Sequence, residues 1–169
     1  RTLSPAVLSR FGRRWRRADA ALKDANATLA SRVMERTAEL QKSETRHRTL
    51  FESTADSVLV LDGERILDCN PAAVAMFGGT SRNELLSKNI GELSTPTQPD
   101  GGNSASEAAR RIQQALTDAS ASFEWTHLRL DTGKTFLTEV LLSRMQLENR
   151  VLLQATVRDI TEKRQAEME

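Results

Sequence analysis

The sequence predicts an α+β fold in which antiparallel hairpins carry helices on one face of a sheet, led by one long N-terminal helix. Two observations predict it. Apolar residues recur at three-four spacing through the first part of the chain, and from Ser57 the period changes to the alternation of strands. The strands then come as hairpins with shorter helices gathered between them, which places those helices on one side of the sheet.

Residues 4–51 read as a single helix. Ser4 and Pro5 supply an N-cap and a proline at the first helical position, and Gly12 is the only breaker after them. Leu8, Phe11, Trp15, Ala18, Leu22, Ala25 and Leu29 keep the spacing of a coiled-coil seam. The same frame then lands on Arg32 and Arg36, which do not belong in a seam. Val33, Leu40 and His47 resume a seven-residue spacing in a frame displaced by four, a stutter that locally unwinds a supercoil. Such a helix reaches roughly 70 Å at 1.5 Å per residue and buries little alone. The expectation is a parallel homodimer joined through Leu8, Phe11, Trp15, Leu22, Leu29, Val33 and Leu40. A helix folded back on its own domain is the alternative.

The net charge of +1 hides an asymmetry. Residues 1–17 hold six arginines and no acid, so removing their +6 from the total leaves −5 for residues 18–169. Arg13-Arg14-Trp15-Arg16-Arg17 therefore opens an otherwise acidic protein. A solvated helix face, a stretch beside a membrane and a nucleic-acid contact compete for it. The tryptophan favours an interfacial position, and nucleic-acid binding would need basic character beyond one tip, so no nucleic-acid partner is expected.

From Ser57 onward the elements follow in order. "SVLVLD" (57–62) and "RILDCN" (65–70) flank Gly63-Glu64 as a hairpin. Asn70-Pro71 starts a short helix, "PAAVAMF", closed by Gly78-Gly79, and "SRNELL" adds a helical turn. Residues 91–103 carry prolines and glycines and read as a loop. Residues 104–119 form an amphipathic helix with Ala108, Ile112, Ala115 and Leu116 on one face. Strands at 122–130, 134–145 and 151–159 finish the domain, with turns at Asp131-Thr132-Gly133 and Glu148-Asn149-Arg150.

In that order, "SVLVLDGERILDCNPAAVAMFG", "FEWTHLRLDTGKTFLTEV" and "VRDIT" resemble a PAS domain, the small sensory fold of bacterial signalling proteins, from about Arg46 to Lys163. "RVMERTAELQKSETRHRTLFES" resembles the signalling helix that precedes PAS domains in membrane-bound sensor histidine kinases and diguanylate cyclases. The resemblance implies a five-stranded antiparallel sheet, a ligand cavity between sheet and helices, and parallel dimerisation. The division expected is 1–51 for the dimerising helix, 52–161 for the PAS sensor and 162–169 for the start of an output linker.

Catalytic constellations are absent from the sequence. His47 is followed by "RTLFES", without the acid and proline of a kinase phospho-acceptor, and two histidines with one cysteine offer no metal-ligand spacing. Neither glycine pair stands in a strand–loop–helix setting that cradles phosphate. The segment is expected to be regulatory rather than enzymatic, with no metal. The helix at 104–119 lacks the histidine that haem-holding relatives offer. Cys69 sits in "DCNPAA" rather than in a flavin-bonding helix, and reads as a small core residue. That leaves a diffusible small molecule, or none, and Met76, Phe77, Phe123, Trp125, His127, Phe136 and Val140 are the candidate contacts. Strand alternation places Phe123, Trp125 and His127 on one face, and Phe136, Thr138, Val140 and Leu142 on one face of the next strand.

Asp159, Ile160 and Thr161 are the candidate output joint. Asp159 and Glu162 are spaced as in a reciprocal helix cap, and Thr161 can bond local backbone. An ordinary cap at a domain end is the plainer reading. With no apolar run long enough to span a bilayer, a lone cysteine and a first residue that is not a start, the chain reads as a cytoplasmic segment. Its parent would be anchored in the inner membrane and carry a C-terminal effector. A histidine kinase of a two-component system is the first expectation for that effector. A diguanylate cyclase, or an assembly module that senses nothing, are the alternatives.

Overall fold

The computed structural model describes residues 5–168, with side chains from 9 to 167. Ser4 as N-cap and the side chain of Leu8 lie outside the described residues. The chain divides into two units between Arg48 and Thr49. Helix α1 runs from Pro5 to Ser53 and passes through Gly12 without a break, the glycine costing about 0.5–1 kcal/mol against alanine. In the first unit the seam residues Phe11, Trp15, Leu22, Leu29, Val33 and Leu40 are all exposed, Trp15 at 76% and Leu40 at 71%.

The second unit is an antiparallel five-stranded sheet in the order β2-β1-β5-β4-β3, with β1 Ser57–Asp62, β2 Arg65–Cys69, β3 Ser120–Leu128, β4 Thr135–Leu147 and β5 Arg150–Asp159. Helices α2 (Pro71–Phe77), α3 (Arg82–Leu86) and α4 (Ser104–Asp118) lie between β2 and β3 in the chain, and α5 (Thr161–Met168) follows β5. The predicted fold class is borne out. Leu59 and Leu61 of β1, Val140 and Leu142 of β4, and Leu153, Ala155 and Val157 of β5 face one core with Ala73, Phe77, Leu85, Ala108, Ile112 and Ala115 of the helices. Side chains two apart on a strand share a face, so the alternation read from the sequence selects this set.

Caps set the helix ends. Ser81 accepts from the Glu84 amide, and Asn103 accepts from the Ser106 amide. Gly78 closes α2 at φ 68°, a left-handed conformation that glycine adopts without the Cβ penalty. A Cβ there would also stand 2.2 Å from an Asp131 carboxylate oxygen.

Several strand boundaries differ from the sequence expectation, β4 among them, which runs Thr135–Leu147 rather than 134–145. Strand β3 begins at Ser120 because Ala119, left-handed at φ 70°, turns α4 straight into the strand. It ends at Leu128, and the Leu130 amide then bonds the Phe77 carbonyl at 2.8 Å, drawing the chain off the sheet. The last hairpin turns on Glu148-Asn149 alone, since Arg150 already pairs with Leu147. Glu148 takes φ 53°, the positive value that two-residue hairpin loops demand.

The segment 91–103 is a loop, but it is stitched to the free edge of β3. Gln98 accepts from the Thr126 amide at 2.8 Å and donates to Ser104 Oγ at 2.8 Å, while the Leu128 amide bonds the Leu93 carbonyl at 2.9 Å. Leu93 is buried. An edge strand presents unpaired backbone groups, and this loop satisfies several of them.

Candidate functional site

Between the inner sheet face, α4 and the 91–103 loop lies a cavity of about 50 Å³. Its wall combines Leu59 and Leu61 of β1, Phe123, Trp125 and His127 of β3, Val140 and Leu142 of β4, and Ala155 and Val157 of β5. Ala108, Arg111 and Ile112 of α4, with Ile90 and Ser94, complete it. An engineered apolar cavity of about 150 Å³ holds benzene, so this one suits a much smaller guest. Of the predicted contacts, Phe123, Trp125, His127 and Val140 line it. Phe77 and Phe136 do not: their rings stand 5.0 and 5.8 Å from the His127 ring and back it from the core side. Met76 is also outside the wall, half-buried on α2, where its carbonyl accepts from Arg129 at 3.1 Å.

His127 is buried at 8% exposure. Its Nδ1 lies 2.9 Å from the Leu93 carbonyl oxygen, which can only accept, so Nδ1 carries the proton. Loss of hydration pushes the imidazole down to about 4, against a smaller opposing pull from the Leu93 carbonyl, so it is neutral near pH 7. Trp125 Nε1 donates to Ser94 Oγ at 3.0 Å, and Ser94 donates to the Ile90 carbonyl at 2.8 Å.

Arg111 holds the rim. Its guanidinium carbon stands 4.9 Å over the Phe123 ring and its Nε donates to Glu107 at 3.1 Å. Glu107 in turn sits below the usual carboxylate range, chiefly through its hydrogen bond from Arg110. The sequence carried no sign of Arg111 or Ser94, because one flanks an apolar helix face and the other lies in a loop. Cys69 is buried in the core, where burial raises its thiol pKa. Among the described residues no group of three His, Cys, Asp or Glu side chains could hold a metal.

Two joints bracket the domain. At entry, Asn70 is fully buried and ties together the end of α1, the start of β1 and the start of α2. Its Oδ1 accepts from the Val58 and Ala73 amides, both at 3.0 Å. Its Nδ2 donates to the Phe51 and Asp56 carbonyls at 3.1 and 3.0 Å. The Asn-Pro pair signalled a helix cap and nothing more, since the other partners lie 12 to 19 residues away in sequence.

At exit, Asp159 accepts from the Thr161 amide at 2.9 Å, an Asx-type turn rather than a reciprocal cap with the exposed Glu162. Thr161 does not bond local carbonyls. Its Oγ1 accepts from the Leu137 amide at 3.1 Å, and the Ile160 amide donates to the Leu137 carbonyl at 2.9 Å. The joint is thereby clamped to β4. Arg164 of α5 pairs with Glu124 of β3, and Ile160 is buried beneath the turn.

A family profile described as "PAS domain" matches residues 55–162. Solved structures resemble the chain in fold. One is the PAS domain of an HTR-like protein from Haloarcula marismortui, 28% identical with a TM-score of 0.63, covering 75% of this chain and 99% of that one. Another is a domain of a sensory box sensor histidine kinase/response regulator from Geobacter sulfurreducens, 26% identical with a TM-score of 0.51, covering 69% and 95%. A third is the PAS domain of nitrogen regulation protein NR(II) from Vibrio parahaemolyticus, 20% identical with a TM-score of 0.54, covering 66% and 95%. No curated protein matches the sequence.

Proposed function

The chain belongs to the PAS domain family across residues 55–162, and from that premise we propose that it is the sensory segment of a larger signalling protein. In this reading α1 pairs with a second copy in parallel, and the PAS cavity takes a diffusible small molecule. The Asp159–Thr161 joint then passes the response to a C-terminal effector. One observation carries the proposal. Strand β4 supplies Val140 and Leu142 to the cavity wall and, three residues before Val140, the Leu137 backbone that holds Thr161 and Ile160. A guest that shifts β4 therefore shifts the start of α5 without an intermediate element. Coupling of this kind is a free-energy link between two sites, and either site can work without it.

A histidine kinase is the effector we favour, supported by the Geobacter sensor kinase domain at 26% identity. No helix among the described residues is long and apolar enough to cross a membrane. The arginine cluster around Trp15 would instead lie against the cytoplasmic surface of the inner membrane, with an anchor elsewhere in the parent. The small size of the cavity favours the second reading, an assembly module with no ligand.

The test is Asp159→Ala in the full-length parent, with exposed Lys163→Ala as control. Loss of the turn bond should cost about 1 kcal/mol of stability and leave dimerisation and ligand affinity in place, while the effector's output stays at one level. A variant that still responds normally to the signal reduces the joint to a helix start.

A further inference from the structure

Aliphatic side chains, among them Leu59, Val140, Leu142 and Val157, make up most of the cavity wall. With His127 neutral, Arg111 of α4 is the only charged side chain among the described residues that line it. Arg111 and Trp125 also line a second space, a groove of about 240 Å³ walled by Gln98, Asp100, Glu107 and Glu124. These two residues therefore stand between the buried cavity and the groove. The Arg111 fork is held there but not used up. Its guanidinium carbon lies 4.9 Å over the Phe123 ring and its Nε donates to Glu107 at 3.1 Å. Among the described residues neither terminal nitrogen has a hydrogen-bond partner, so four of the five N–H groups remain to be given. Nor is the charge fully answered. Arg110 donates to both oxygens of the same Glu107, so one carboxylate serves two arginines. Glu124 is engaged by Arg164, and Asp100 lines the groove without reaching the cavity.

Resting on the reading of this cavity as the sensory pocket, we propose that its ligand is a short-chain monocarboxylate. The two terminal nitrogens of Arg111 grip its head end-on, and its hydrocarbon tail enters the cavity beside Phe123 and Val140. A planar guanidinium matches a carboxylate in both charge and spacing, and such bonds are about twice as strong as neutral ones. With Nε taken by Glu107, the end-on approach is the one left open. Size limits the tail. Scaled from benzene in about 150 Å³, the cavity of about 50 Å³ admits about two to three carbons, while the head stays at the Arg111 partition. A second carboxylate is disfavoured on either side. Inside, it would bury a charge among aliphatic groups, and in the groove it would meet Glu107, Glu124 and Asp100.

The experiment titrates the whole chain at neutral pH and constant ionic strength with propionate and with propionamide, its uncharged counterpart of equal heavy-atom count. Binding is read from the Trp125 indole N–H resonance, and xenon dissolved in the sample reports on the cavity through its own resonance. Propionate should bind saturably, at least about tenfold more tightly than propionamide, the worth of a charge-assisted hydrogen bond. It should also displace xenon as its tail fills the cavity. In Arg111→Gln the preference should vanish while xenon still enters, which shows that the variant is folded. Three results overturn the assignment and leave a sensory cavity standing: equal affinity for the two compounds, a preference unchanged in the variant, or xenon that stays in place as propionate saturates. Failure of the native chain to take up xenon, propionamide and propionate alike overturns the sensory reading as well.

Discussion

Lowering the pH should destabilise this domain, with one buried histidine contributing a measurable share. His127 titrates near 6.5 when unfolded and at about 4 in the folded protein, so between those values the unfolded chain binds more protons. Stability therefore rises with pH across that window and is lost as pH falls through it. A gap of about 2.5 units at 1.36 kcal/mol each amounts to about 3 kcal/mol once pH is below both values, and about 2 kcal/mol of it is already gone at about pH 5. The comparison is urea unfolding at about pH 7.5 and about pH 5 for the native chain and for His127→Phe. The substitution is tolerable on structural grounds. The Leu93 carbonyl keeps its bond from the Leu128 amide, and the unpartnered Nε2 disappears. With a urea slope of 1–3 kcal/mol/M, the native midpoint should fall by about 1 M more than the variant's. Paired carboxylates such as Asp56 and Glu107, both held below their ordinary values by arginine partners, act in both proteins and cancel. Equal pH dependence in the two proteins would refute the argument from burial.

Asn70→Ala removes four hydrogen bonds at the entry joint and leaves the buried Val58 amide unpaired. A loss of about 3 kcal/mol is expected in urea unfolding, and a loss below about 1 kcal/mol would mean that water replaces the side chain. Trp15→Glu combined with Leu22→Glu should dissociate the proposed homodimer, read by sedimentation at tens of micromolar, where a Kd of about 1 μM still gives mostly dimer. A native chain that sediments as a monomer there removes the coiled-coil proposal. The purified protein should be colourless, and a Soret band or flavin spectrum that survives gel filtration would show that a pigment is bound.

Local chemistry made much of this architecture readable. A change of period at Ser57, Asn70-Pro71 before an apolar helix, Gly78 after it and the alternation of Phe123, Trp125 and His127 are each written within a few neighbouring residues. The elements they specify stand where expected, because caps, turns and strand faces depend on near neighbours. The Leu8–Leu29 spacing was legible as an apolar helix stripe, which suits a partner helix or a fold back on its own domain alike. The sequence could not say that His127 keeps one nitrogen without a partner. That follows from the Leu93 carbonyl, 34 residues away, claiming the other. Nor could it give Asn70 its bonds to Phe51 and Asp56, seat Arg111 over Phe123, or clamp Thr161 to Leu137 rather than to its own helix. Those contacts join segments far apart in the chain, and only the closing of the sheet against the helices brings them within hydrogen-bonding distance.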